Sequence, residues 1–260
     1  MKKTGIFGKI FIALVLFFLY APIIVVVIYS FNSTKSPAEF TGFSLRWYTE
    51  FFETFKYGDE LVNSLIVGLA SVVGAGIIGT LGAVALSGRK FKASGTMESI
   101  SLMPIMLPEI ILGVAFFAIL SLVNIDGLVR LSIAHITFCI PYVYLIVSAR
   151  LSEADNHLVE AARDLGARPA RVFFTVILPL IAPGVIAGML LSFAMSFDDV
   201  VISSFLSSPG SNLLPVKIYS SLIKVGFTPV VNVLFTLLLL IFAFVITGFS
   251  LMKSKTKQKD

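Results

Sequence analysis

From Ile10 to Ile28 this chain carries no charged side chain. A backbone entering hydrocarbon must satisfy its own N–H and C=O groups, so an apolar run of this length folds as a helix across a bilayer. Five comparable stretches follow, and the six run at about 10–30, 61–87, 97–123, 128–149, 175–201 and 229–252. Composition agrees: of 260 residues, 57% are hydrophobic and 13% charged, whereas a soluble domain is about a quarter charged. The expected fold is an all-α membrane protein, one transmembrane domain of six helices over residues 1–260, with little chain outside the bilayer. Lys2, Lys3 and Lys9 ahead of the first run resemble the start of a secretion signal. The run is too long for that and no small-residue cleavage site follows, so it is read as a retained span.

The basic residues then divide by side. The N-terminus, the 88–96 loop, the 150–174 loop and the 253–260 tail hold fourteen Lys and Arg, among them Lys2, Lys3, Arg89, Lys90, Lys92, Arg163, Arg168 and Lys259. The opposite side holds six: Lys35, Arg46, Lys56, Arg130, Lys217 and Lys224. This bias places both termini in the cytoplasm. The net charge of +5 is therefore a topology signal and implies no nucleic-acid partner, while the Lys-rich tail lies against anionic lipid. A single cysteine, Cys139, excludes an internal disulfide framework. Ala70 and Gly74, then Ala75, Gly79 and Ala83, form rows of small residues four apart that let helices approach closely. After the first span, Leu45, Tyr48, Phe52 and Phe55 share one helical face with Trp47 beside them, which predicts a short helix lying in the outer interface.

The 150–174 connection is the most informative segment outside the spans. Asp155 or Asn156 can cap a helix, Ala161 and Ala162 favour its interior, and Gly166 can end it in the left-handed conformation. Pro169 suits the first turn of a second helix. Two short helices meeting at a sharp turn are expected. Glu160-Ala161-Ala162, then Gly166, then Val176-x-Leu178-Pro179 resembles the EAA motif of ABC importer permeases, with Val176 where that family usually has Ile. The resemblance implies the type I importer architecture and assigns Glu160, Ala161, Ala162, Asp164, Leu165 and Gly166 to a coupling helix that docks into a separate ATPase.

The chain itself has no Gly-x4-Gly-Lys-Ser/Thr phosphate loop. No cofactor is expected in it; ATP and magnesium belong to the partner ATPase. Further stretches, Ser30 to Ser33, Gly42 to Tyr48, His135 to Pro141, Ser196 to Ser204 and Leu214 to Ser220, are similar to the permease subunits of spermidine/putrescine importers. This implies a sister permease, two ATPase copies and an extracytoplasmic polyamine-binding protein as partners, in a bacterial cytoplasmic membrane.

Carboxylates inside spans are costly and mark function. Glu109 follows Pro108 in the third stretch, Asp198 and Asp199 sit toward the outer end of the fifth, and neither stretch contains Lys or Arg. A polycation could pair with these groups, and Tyr142 could offer an aromatic face to it. Asp198 and Asp199 lie about 100° apart on a helix, so only one faces a path. The competing role for each acid is a helix cap or a pair with the sister subunit. His135 is read as a hydrogen-bonded residue of the bundle. Two other functions compete: a permease of this class with another cargo, and a secondary transporter in which Glu109 relays protons.

Overall fold

The long apolar runs do become helices, and α1 (Ile6–Tyr29) is the first, with Pro22 inside it. The computed structural model describes residues 5–36, 39–54, 56–87, 94–154, 156–226 and 228–257. Lys2, Lys3, Phe55, Arg89, Lys90, Lys92, Asp155 and Lys259 lie outside the described residues. Next come α2 (Arg46–Thr54), α3 (Gly58–Leu86), α4 (Ser94–Met106), α5 (Glu109–Leu120) and α6 (Gly127–Ser152). The chain continues through α7 (Asn156–Asp164), α8 (Pro169–Val172), a π-turn (Phe173–Ile177) and α9 (Leu178–Asp198). It ends with α10 (Val201–Leu206), α11 (Leu214–Val225) and α12 (Pro229–Lys257). The only extended pairing among the described residues is a bridge between Asn32 and Phe43.

Among the described residues, four helical runs are long and apolar enough to cross a membrane: α1, α3, α6 and the run Pro169–Asp198. A fifth candidate is the pair Gly95–Met106 and Glu109–Leu120, bent by 107°. Where the sequence suggests one span at 97–123, the chain turns sharply at Pro108, which caps α5 with an extended ψ of 135°. Among the described residues, the apolar part of α12 is the shorter run Pro229–Phe244.

The chain forms two compact units, one of residues 57–219 and one of 1–56 with 220–260. In the first, α3, α6 and α9 pack pairwise on one another, with α4 against α6 and α5 against α10. Their shared core includes Val67, Ala75 and Ala83 of α3, Leu131, Phe138 and Val143 of α6, Ile181 of α9 and Ile202 of α10. The small-residue rows explain how close α3 comes. A Cβ on Gly79 would lie 2.8 Å from Val143 Cβ and 3.0 Å from the Ile140 carbonyl oxygen, so only hydrogen fits there. Side chains facing outward from α1 and α3 are apolar and exposed, as hydrocarbon contact requires.

In the other unit, Asn32 ties a loop to α2. Its Nδ2 donates to the Glu39 carbonyl (2.7 Å), its Oδ1 accepts from Thr41 N–H (3.0 Å), and its carbonyl accepts from Trp47 Nε1 (2.6 Å). The residues of α2 that this unit buries are Trp47 and Phe51, while Leu45 and Phe52 are exposed. Of the face predicted for the outer interface, Leu45 and Phe52 point outward, while Tyr48 is half-buried and stacks on Phe31 (5.0 Å between centroids).

Candidate functional site

The sharp turn before α5 and the end of α9 meet around one cavity of about 260 Å³. Glu109, the first residue of α5, lines it together with Tyr142 of α6 and Asp198 and Asp199 at the α9–α10 break. All of the residues singled out as a substrate path thus line one cavity, although Glu109 and Asp199 are 90 positions apart in sequence. Pro104, Leu112, Phe138 and Met195 complete the apolar part. No Lys or Arg lines this cavity among the described residues, and no cluster of His, Cys, Asp and Glu there could hold a metal ion.

The two neighbouring aspartates differ. Asp198 is exposed and Asp199 is buried. Asp199 Oδ2 accepts from Ser203 N–H (2.7 Å) and Ser203 Oγ (2.6 Å), and its Oδ1 accepts from Ile202 N–H (3.2 Å). These are orphan donors of the first turn of α10, so Asp199 is a helix cap, and the cap ends the fifth apolar stretch before residue 201. His135 of α6, fully buried, stands behind it with Nε2 3.6 Å from Asp199 Oδ2. Sequence reading did not find Ser71, Ser196 and Ser203, which join this polar cluster. The signal available was the spacing Asp199-x-x-x-Ser203, a capping pattern ahead of a short apolar helix.

The second candidate site is the 150–174 segment. In α7 the residues Glu160, Ala161, Arg163 and Asp164 are exposed, as is Leu165 just after it, whereas Ala162 is half-buried. The helix ends in a Schellman turn: Gly166 has φ +78°, its N–H donates to Arg163 O (2.8 Å), and Ala167 N–H donates to Ala162 O (3.1 Å). Arg168 is extended, and Pro169 starts α8. Glu160 Oε2 is 3.6 Å from His157 Nδ1, with both side chains open to solvent. Leu165 is 89% exposed, an apolar side chain on a rigid turn with nothing from its own chain over it.

Residues 75–253 match the family described as binding-protein-dependent transport system inner membrane component. The chain belongs to this family. Among curated relatives of this permease, the putrescine transport system permease protein PotI of Escherichia coli (strain K12) is 40% identical over 231 residues, covering 85% of this chain and 82% of the relative. The spermidine/putrescine transport system permease protein PotC of the same strain is 38% identical over 242 residues, covering 92% of this chain and 91% of the relative. Among solved structures, the permease resembles a chain of a bacterial ABC transporter involved in import of the acidic polysaccharide alginate. The TM-score is 0.71 at 16% identity, over 94% of this chain and 95% of that one. A chain of the MetNI methionine ABC transporter gives 0.59 at 21% identity, over 77% of this chain and 93% of that one. Those TM-scores show a shared fold.

Proposed function

We propose that this chain is the membrane permease subunit of an ATP-driven importer of polyamines. The observation that carries the reading is the convergence of Glu109, Asp198, Asp199 and Tyr142 on one cavity without a basic side chain in its lining. A carboxylate in a membrane-embedded cavity has lost much of its hydration, so a cation entering it regains favourable electrostatics that bulk water would screen. A linear polyamine suits such a site, since its ammonium groups are spaced along a flexible chain and can pair with carboxylates on separate helices. Similarity to the putrescine permease PotI and the spermidine/putrescine permease PotC supports the same cargo.

The energy comes from outside the chain. In this reading Glu160, Ala161, Ala162, Asp164, Leu165 and Gly166 dock α7 into a separate ATPase, which binds ATP and magnesium. The assembly holds a sister permease, two ATPase copies and an extracytoplasmic polyamine-binding protein, in the bacterial cytoplasmic membrane. Six spans place both termini and the 150–174 loop on the cytoplasmic side. ATPase closure draws the coupling helices together and opens the cavity outward to the binding protein; hydrolysis returns it to the inward-open form.

The test is uptake of labelled spermidine and putrescine by cells lacking other polyamine importers and expressing the partner subunits, with and without this chain. Uptake that requires both the chain and ATP is the expected result. An assembled complex with active ATPase and no polyamine uptake overturns the cargo; uptake driven by the proton gradient without ATP overturns the class.

A further inference from the structure

The buried cluster behind the cavity has no role in the reading above, yet three helices of the cavity wall, α6, α9 and α10, reach it. His135 sits on α6 with its ring edge toward Phe138 (5.1 Å between centroids) and no exposed surface. Its Nδ1 lies 2.8 Å from Ser196 Oγ on α9, which is 3.2 Å from Ser71 Oγ on α3. Its Nε2 lies 3.1 Å from Ser203 Oγ on α10. The Ser203 hydroxyl proton is already directed to Asp199 Oδ2 at 2.6 Å. With that proton committed, Ser203 Oγ is left to accept from Nε2–H of the neutral ring, and the bare Nδ1 accepts from the Ser196 hydroxyl at 2.8 Å in place of that hydroxyl's longer contact with Ser71 (3.2 Å). The result is a directed chain, His135 Nε2–H to Ser203 Oγ–H to Asp199, that ties α6 to the α9–α10 break.

This chain occupies Asp199. Its Oδ2 accepts from two groups of Ser203 and faces His135, and its Oδ1 accepts from Ile202 N–H. Asp198, one residue earlier, is exposed at the same cavity. A buried carboxylate that accepts several hydrogen bonds is stabilised where it is and gains little from a transient cation, whereas an exposed one gains more. A sharp division of labour follows.

We propose that His135 is a positioning residue which, through Ser203, locks Asp199 as the cap of α10 and so leaves Asp198 and Glu109 as the carboxylates that meet the cationic substrate. The word substrate rests on the polyamine reading; the geometric assignment of the two aspartates does not. His135→Leu removes both ring contacts. His135→Gln keeps an amide that can donate toward Ser203, and Ser203→Ala removes the relay while leaving the ring in place.

The first readout needs no substrate. The whole assembled complex in membranes is treated with a hydrophobic carbodiimide, and the modified carboxyl groups are located by mass spectrometry. Asp198 is expected to react in the wild type while Asp199 does not, and Asp199 is expected to become reactive in His135→Leu and in Ser203→Ala. Asp199 reacting as readily as Asp198 in the wild type, or staying protected in an assembled Ser203→Ala complex, overturns the proposal. The second readout is uptake. His135→Leu should lose about tenfold, the order expected for a lost cap, with His135→Gln regaining most of it. Equal loss in both variants overturns the positioning role. Failure of the cargo reading looks different: spermidine then gives Asp198 and Glu109 no protection from the carbodiimide in any variant, whatever happens at Asp199.

Discussion

Glu109 and Asp198 reach the same cavity from two helix ends, Glu109 as the first residue of α5 and Asp198 as the last of α9. Each sits where the backbone stops being regular, at a helix end that opens on the cavity. A span that must stay helical in hydrocarbon tolerates such breaks only where the freed groups face a cavity or a partner. The Asp199 cap and the Pro108 turn supply the two breaks here.

Neutralising either acid therefore tests the cavity directly. Glu109→Gln and Asp198→Asn should each lower polyamine uptake about tenfold, the loss of one carboxylate–ammonium pair worth roughly 1.4 kcal/mol. Binding of the ATPase should be unchanged, as measured by copurification. Loss of ATPase binding in Glu109→Gln would contradict a path role.

Glu160→Lys reverses the charge on an exposed side chain that no tertiary packing depends on. Membrane insertion and thermal stability should stay at wild-type values while uptake is abolished. Normal uptake by a well-expressed variant would remove α7 from the coupling role.

Gly166→Ala meets no neighbouring atom, so its only penalty is the left-handed backbone at φ +78°. That strain costs about 1 kcal/mol. The bundle melting temperature should hardly move, while ATP-coupled uptake falls because α7 is no longer set at one angle to α8. A large fall in melting temperature would show that the turn also supports the bundle.

Gly79→Ala should behave in the opposite way. Its new methyl group collides with Val143 and with the Ile140 carbonyl oxygen, and backbone cannot step aside as a flexible side chain does. Overpacking at such a crossing costs about 1–3 kcal/mol. Lower thermal stability of the detergent-solubilised complex, with uptake falling only in proportion to assembled protein, is the expected outcome.

Lys217 of α11 pairs with Glu60 of α3 at 2.8 Å. The hydrogen bond that the ammonium donates to the Glu60 carboxylate raises the lysine pKa above its ordinary value. A raised pKa means the pair contributes fully below the unfolded lysine value of about 10.4 and is lost only as pH rises past the folded value. Stability differences between wild type and Lys217→Met should thus be small, constant across neutral pH, and vanish in strong alkali. The lysine side chain is 38% exposed, so solvent screening keeps the effect modest. A difference that changes between pH 6 and 8 would point to another group.

Short-range signals made much of this legible in the sequence. Gly166 and Pro169 marked the turn and the second helix because each acts through its own backbone angles. The third stretch read as one span, and the 107° bend within it goes with packing of α5 on α10, where a Cβ on Gly113 would meet the Phe205 ring at 2.5 Å. The acids were visible as charges in apolar runs, yet nothing local told Asp198 from Asp199, since what separates them is His135 on another helix. Serines in apolar spans carry little signal either: Ser71 can satisfy its hydroxyl on the Val67 carbonyl of its own helix (2.8 Å) whether or not a partner helix is present.

The helical run from Pro169 to Asp198 is also a lever. At 1.5 Å per residue it is about 45 Å long, and a tilt of roughly 5° at one end displaces the other by about 4 Å. No loop interrupts it; the π-turn at Phe173–Ile177, closed by Leu178 N–H on Phe173 O, widens the coil without breaking it. In the coupling role proposed for α7, force applied beside Gly166 arrives at the acidic cavity as geometry rather than as a change in some intervening hinge, with a lateral throw comparable to the width of the ammonium group proposed to enter it.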